Sequence, residues 1–192
     1  MSSAAELPIL LSDDGTAWEE WLERHHAESE GVWLKFAKKG APASSVTHAE
    51  ALQHALCFGW IDGQVRPLDE HFFLQRFTPR RRQSRWSQIN RRHAERLIAE
   101  GRMRPAGLAQ VEAARADGRW AKAYEPQSTA SVPADLQEAL DANPAAKEFF
   151  DALRGSNRYA ILYRVNDAKR PETRARRIAQ YVQMCAEHRT LH

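Results

Sequence analysis

The chain has 192 residues, 43% of them hydrophobic and including six Trp and seven Phe, enough for one large core or a main core with a satellite. Its 28 Lys and Arg stand against 25 Asp and Glu, a mildly basic balance that does not by itself indicate nucleic-acid binding. Two distant cysteines, Cys57 and Cys185, exclude a disulfide framework, and no apolar run approaches the ~18–20 residues of a membrane span.

The opening Met1–Gly15 segment lacks a basic start and holds only Ile9–Leu11 as an apolar cluster. It does not read as a signal peptide, so a cytoplasmic location is expected. Thr16-Ala17-Trp18-Glu19 has the form of a capping box, followed by Trp18, Trp21, Leu22 and His25 at helical spacing. After Gly31, Val32–Phe36 alternates as a strand. A second capping box, Thr47-His48-Ala49-Glu50, opens a helix through Cys57 that Gly59 ends. Trp60–Arg66 and His71–Thr78 are β-rich runs around Pro67–Glu70, which predicts a hairpin and a sheet of about three antiparallel strands.

Helices dominate from there. Ser84 is the expected N-cap of a helix carrying Trp86, Ile89, His93, Leu97 and Ile98, closed by Gly101. Pro105 suits a first helical position, with Leu108 and Val111 inward. Tyr124–Pro133 is linker-like, and Pro133–Ala142, Pro144–Leu153, Ser156–Ala168 and Pro171–His188 have helical patterns. The reading is α+β: an N-terminal domain over 1–123, a linker over 124–132, and an all-helical module over 133–192. In the last helix, Arg174, Arg176 and Arg177 lie outside the apolar stripe of Ile178, Tyr181 and Cys185 and read as a solvated face.

Four long motifs, Ala55–Gly63, Arg76–Arg81, Ser84–Asn90 and Glu100–Leu108, together with Val132–Leu140 and Ala168–Ile178 in the tail, carry a resemblance. The chain resembles the bacterial YdeI/OmpD-associated family over nearly its whole length. The resemblance implies a role in bacteriocin protection or envelope stress and supplies no catalytic residues.

The chemistry concentrates at Phe77–Asn90, where Arg80, Arg81, Arg82 and Arg85 precede a helix with no acid in its first turn. Free N–H groups at a helix start and guanidinium forks favour an anion. The first reading is a non-enzymatic protein that binds an anionic small molecule or acidic partner group. Its site would comprise Trp60, Asp62, Arg80, Arg81, Ser84, Arg85, Trp86 and Asn90. An internal network with Asp62, Asp69 or Glu70 would neutralise the same arginines, with Arg80 as the expected partner of Asp62. A second reading spreads nucleic-acid contacts over the nine arginines between Arg80 and Arg104. A third is an enzyme centred on Cys57 and Asp62, with His54 one turn before the thiol. No metal or cofactor is expected: His25 and His26 diverge on a helix, His54 and Cys57 give only two ligands, and no phosphate-loop or dinucleotide motif occurs.

Overall fold

The computed structural model describes residues 7–127 and 129–191. The first six residues of the expected non-signal N-terminus, Ser128 of the expected linker and His192 lie outside them. The chain divides into two compact units, Met1–Ala123 and Tyr124–His192.

In the first unit, β1 (Ile9–Leu10) lies parallel to β2 (Val32–Ala37), and β4 (Phe72–Pro79) runs antiparallel between β2 and β3 (Trp60–Pro67). The sheet order is β1-β2-β4-β3, four strands rather than three. The added strand is only two residues long, too short for an alternation to be read. Helix α1 (Gly15–His25) begins one residue before Thr16, capped by Asp14, whose Oδ1 accepts from Ala17 N at 2.9 Å. The Thr16 capping box therefore does not form, because Glu19 is engaged elsewhere. Its Oε1 accepts from Arg104 Nη2 at 3.1 Å, and its Oε2 lies 3.3 Å from His54 Nδ1 without hydrogen-bond alignment.

Helix α2 (His48–Cys57) has the expected box in full: Thr47 and Glu50 cap each other's backbone N–H groups. The box also holds the Glu50 carboxyl below its ordinary range, through hydrogen bonds from the Thr47 side chain and backbone. Helices α1 and α2 cover one sheet face. Trp18 and Leu22 of α1 join Val32, Leu34, Phe36 and Phe77 in the core. Helix α3 (Gln88–Ala99) packs on α2 through Ala94 and Leu97, while Ile89 is exposed rather than inward.

Helix α4 (Pro105–Ala116) starts on Pro105 as expected. It closes on the end of α2 through two glycines. Gly59 has φ +75°, and a Cβ there would meet Ala106 O at 2.9 Å. A Cβ on Gly107 would lie 2.2 Å from Cys57 O. No side chain fits, so α4 can cross α2 only backbone to backbone. Arg104 N adds a hydrogen bond to Cys57 O at 3.1 Å.

The second unit packs α8 (Pro171–Ala186) against α5 (Ala134–Asp141), α6 (Pro144–Ala152) and α7 (Gly155–Asn166). Leu136, Phe150, Ile161, Tyr181 and Cys185 are among its buried residues. Asn143 caps α6 by accepting from Ala146 N at 3.1 Å. The basic face of α8 is not wholly solvated. Arg174 places Nη2 2.8 Å from Asp135 Oδ1 and donates Nη1 to Val165 O at 2.9 Å. The hydrogen bonds from Arg174 hold the Asp135 carboxyl below its ordinary range. The stretch read as a linker is bonded into this unit, with Tyr159 Oη donating to Glu125 O at 2.8 Å.

Two outcomes are expected. Gly107→Ala should lower the stability of the first unit by about 3 kcal/mol in urea denaturation, because the added methyl group overpacks a backbone contact. Burial holds His54 below its ordinary value of 6.5 despite the neighbouring Glu19, and His93 is lowered in the same way by burial and by Arg96 and Arg92. A depressed histidine contributes stability above its unfolded value and loses it as the pH falls through the folded one. The unfolded chain should therefore take up protons first on acidification. Urea midpoints at about pH 7.5 and about pH 5 should differ less in His54→Gln than in the wild type.

Candidate functional site

β3 and β4 end side by side, with Trp60 opposite Pro79. The next residue, Arg80, is anchored by its backbone N–H to Gly59 O at 2.9 Å. The chain then makes a tight turn: Ser84 N donates to Arg81 O at 2.8 Å, and Ser84 Oγ accepts from Arg81 N at 2.9 Å. This turn occupies the hydroxyl that was expected to cap α3. The cap is Ser87 instead, whose Oγ accepts from Asn90 N at 3.0 Å. Asn90 thus serves the helix start through its backbone. The first turn of α3 contains no acid.

Arg80 is buried, 5% exposed, with its guanidinium carbon 3.6 Å from the Trp86 ring centre. Its Nη1 donates to Arg85 O at 3.2 Å, so it braces the loop from inside. Trp86 is also buried, 1% exposed, and meets Trp120 edge-on at 4.8 Å. Arg119 reaches the same loop, donating Nη1 to Ser84 O at 2.8 Å while its Nε holds Asp117 Oδ2 at 2.7 Å. Arg91 donates to Trp120 O at 3.4 Å. Arg81 and Arg82 are exposed on the turn and form no ion pair among the described residues.

The other predicted site residues lie in different surroundings. Trp60 is in the core, edge-on to Trp18 and Trp21, with its Nε1 donating to His26 O at 3.1 Å. Asp62 points to the helix-covered side of the sheet. Its Oδ2 is 3.2 Å from His48 Nε2 and accepts from Gln75 Nε2 at 3.2 Å. The expected Asp62–Arg80 pairing is thus replaced by a His48–Asp62–Gln75 cluster. Sequence reading missed His48, which reaches Asp62 only because α2 begins over β3. Arg119 and Trp120 were missed for the same reason: nothing local links them to Ser84 or Trp86.

Most arginines of α3 and its C-terminal end face carboxylates: Arg91 Nε lies 3.7 Å from Glu95, Arg96 and Arg102 are each 3.5 Å from Glu100, and Arg104 meets Glu19. Their field is locally countered, and beside the turn before Ser87 Asp117 stands close enough to Arg119 and Arg82 for both to lower its carboxyl. Cys57 is 2% exposed, and burial pushes its thiol up to about 11, so it stays protonated at neutral pH. A thiol nucleophile needs the opposite shift. Among the described residues no group of three His, Cys, Asp or Glu side chains converges, and no helix is long and apolar enough to cross a membrane.

Two family models match. Residues 10–110 match the family described as Domain of unknown function (DUF8412), and residues 129–188 match Bacteriocin-protection, YdeI or OmpD-Associated. The resemblance read from the sequence is therefore shown for the C-terminal part alone. All four N-terminal motifs fall inside the other match. No curated protein and no solved structure matches the chain. With the first model spanning more than half of its residues and the second most of its C-terminal unit, the chain belongs to the DUF8412 family and carries a YdeI/OmpD-associated domain behind it.

Proposed function

We propose that this protein is a non-enzymatic binding protein whose first unit holds an anionic group at the turn Arg80–Ser87. The observation that carries this reading is Trp86 Nε1. It is a buried donor with no hydrogen-bond partner among the described residues. Buried donors are nearly always satisfied, and an unsatisfied one costs about 1–3 kcal/mol. An acceptor brought by a ligand would remove that cost.

The surroundings favour an acceptor with negative charge. Arg80 lies over the indole, Arg81 and Arg82 extend from the same turn, and α3 begins here with no acid in its first turn, Ser87 taking only the Asn90 N–H. Trp60 belongs to the other side of this reading as a core residue that fixes where Arg80 leaves the sheet. The wider nucleic-acid face is less favoured, since Glu95, Glu100 and Glu19 stand beside its arginines. The name of the C-terminal family links that family to bacteriocin protection and to OmpD association. We carry that over as a stress-related role in the cytosol, a setting that suits two buried free cysteines.

Isothermal titration calorimetry with inorganic phosphate and with citrate tests the reading. Trp86→Phe keeps an aromatic ring and removes the N–H. It should weaken anion binding by roughly tenfold, as expected for one hydrogen bond to a charged group. Arg81→Ala with Arg82→Ala should weaken it too and reduce its salt dependence. Absence of binding by the wild type, or equal binding by Trp86→Phe, would refute the site.

A further inference from the structure

The sheet has a second face, opposite the one that α1 and α2 cover. Strand alternation puts Trp33 and Lys35 of β2, Phe72, Leu74 and Arg76 of β4, and Arg66 of β3 on the side opposite the core residues Leu34, Phe36 and Phe77. The ring contacts of Trp18 and His48 with Phe77 place α1 and α2 on the core side.

This outer face is organised around Leu74, which is 0% exposed. Lys35 and Arg66 flank it in register on the two neighbouring strands. Their alkyl stems can lie over the leucine while their charged ends reach outward. Both cations are also set over aromatic rings: Arg66 Cζ is 4.3 Å from the Trp33 ring centre, and Lys35 Nζ is 5.5 Å from that of Phe72. Arg76 stands directly opposite Trp33. Neither β2 nor β4 contains an Asp or Glu, and the one acid of β3, Asp62, faces the helices. The result is a plane with three cations and two aromatic rings and no carboxylate from its own strands, with Asp69 of the β3–β4 turn as the acid that senses Lys35.

We infer that this face binds single-stranded nucleic acid without strong sequence preference. A single strand offers both things the face can use. Phosphates meet Lys35 and Arg76, and unstacked bases meet flat surfaces. A guanidinium lying on an indole presents its outer plane for stacking, much as an aromatic ring would. An acidic peptide would satisfy the charges alone. A duplex hides its base faces and would gain only the phosphate contacts. The surface differs from the Arg80–Ser87 turn, so the two proposals stand or fall separately.

Fluorescence anisotropy of a labelled oligo-dT of about 12 nucleotides with the full chain decides it. Binding should weaken steeply between about 50 and 200 mM salt. Lys35→Glu with Arg76→Glu should raise the Kd at least tenfold, with circular dichroism checking the fold. Should charge reversal unfold the sheet, Lys35→Gln with Arg76→Gln carries the same expectation at smaller amplitude. Arg81→Ala with Arg82→Ala should leave oligo-dT binding unchanged. Lack of binding at low salt overturns the inference, as does binding that survives loss of Lys35 and Arg76. Loss of binding in the Arg81, Arg82 variant would also overturn it, by moving the contact to the turn. Equal competition by duplex DNA or polyglutamate would reduce the face to a general polyanion surface and refute the stacking component.

Discussion

Trp18 is the residue on which the first unit depends. Its indole is fully buried, stacks on Trp21 at 5.2 Å and meets Trp60 and Phe77 edge-on. Its Nε1 donates to Ala51 O at 3.0 Å, so one side chain joins α1 to α2 and both to the sheet. Trp60 returns the bond by donating to His26 O at the end of α1. Rings of this size remove a large apolar area from water, and each buried N–H must find an acceptor. Moving α1 along α2 would cost both terms together. Trp60 opens β3 opposite Pro79, and Gly59 beside it takes the backbone bond of Arg80. The central tryptophans therefore reach the arginine turn through Trp60, Gly59 and Arg80.

Trp86 stands out against that background. Trp18 and Trp60 have acceptors inside the fold; Trp86, equally buried, has none among the described residues. The cations divide in a similar way. On α3 most are matched by a glutamate one turn away, which is how a helix surface is ordinarily neutralised. Arg80 in the turn before Ser87, and Arg66 and Lys35 on the outer sheet face, are set over aromatic rings. A ring attracts a cation without cancelling its charge.

Local chemistry was legible where it closed on itself. Thr47 and Glu50 satisfy one another within a single turn, so the start of α2 could be read from four residues. Pro105 and Gly59 were legible for the same reason. Thr16 and Glu19 have the same spacing, yet Glu19 turns to His54 and Arg104, residues far along the chain, and Asp14 caps the helix. Ser84 and Ser87 are rival caps three positions apart, and the turn with Arg81 decides between them. The α+β class followed from periodicity, but a strand of two residues has none, and β1 was missed. The partners of Asp62, Trp60 and Ser84 come from sheet register and helix crossing. No spacing within the sequence encodes them.

The strand order has a consequence for how the sheet comes into being. β3 and β4 are joined by the short turn Leu68–His71 and can pair as soon as both exist. β2 pairs with β4 only after α2 and the hairpin have followed it, and β1 joins β2 in parallel across α1. Loop closure thus favours growth of the sheet from β3–β4 toward β1, opposite to the direction of synthesis. On the ribosome, β2 emerges carrying Val32, Leu34 and Phe36 and has no antiparallel partner until Pro79 has been made. Lys35, set amid that apolar run, is then the strand's own charge against pairing with another nascent chain.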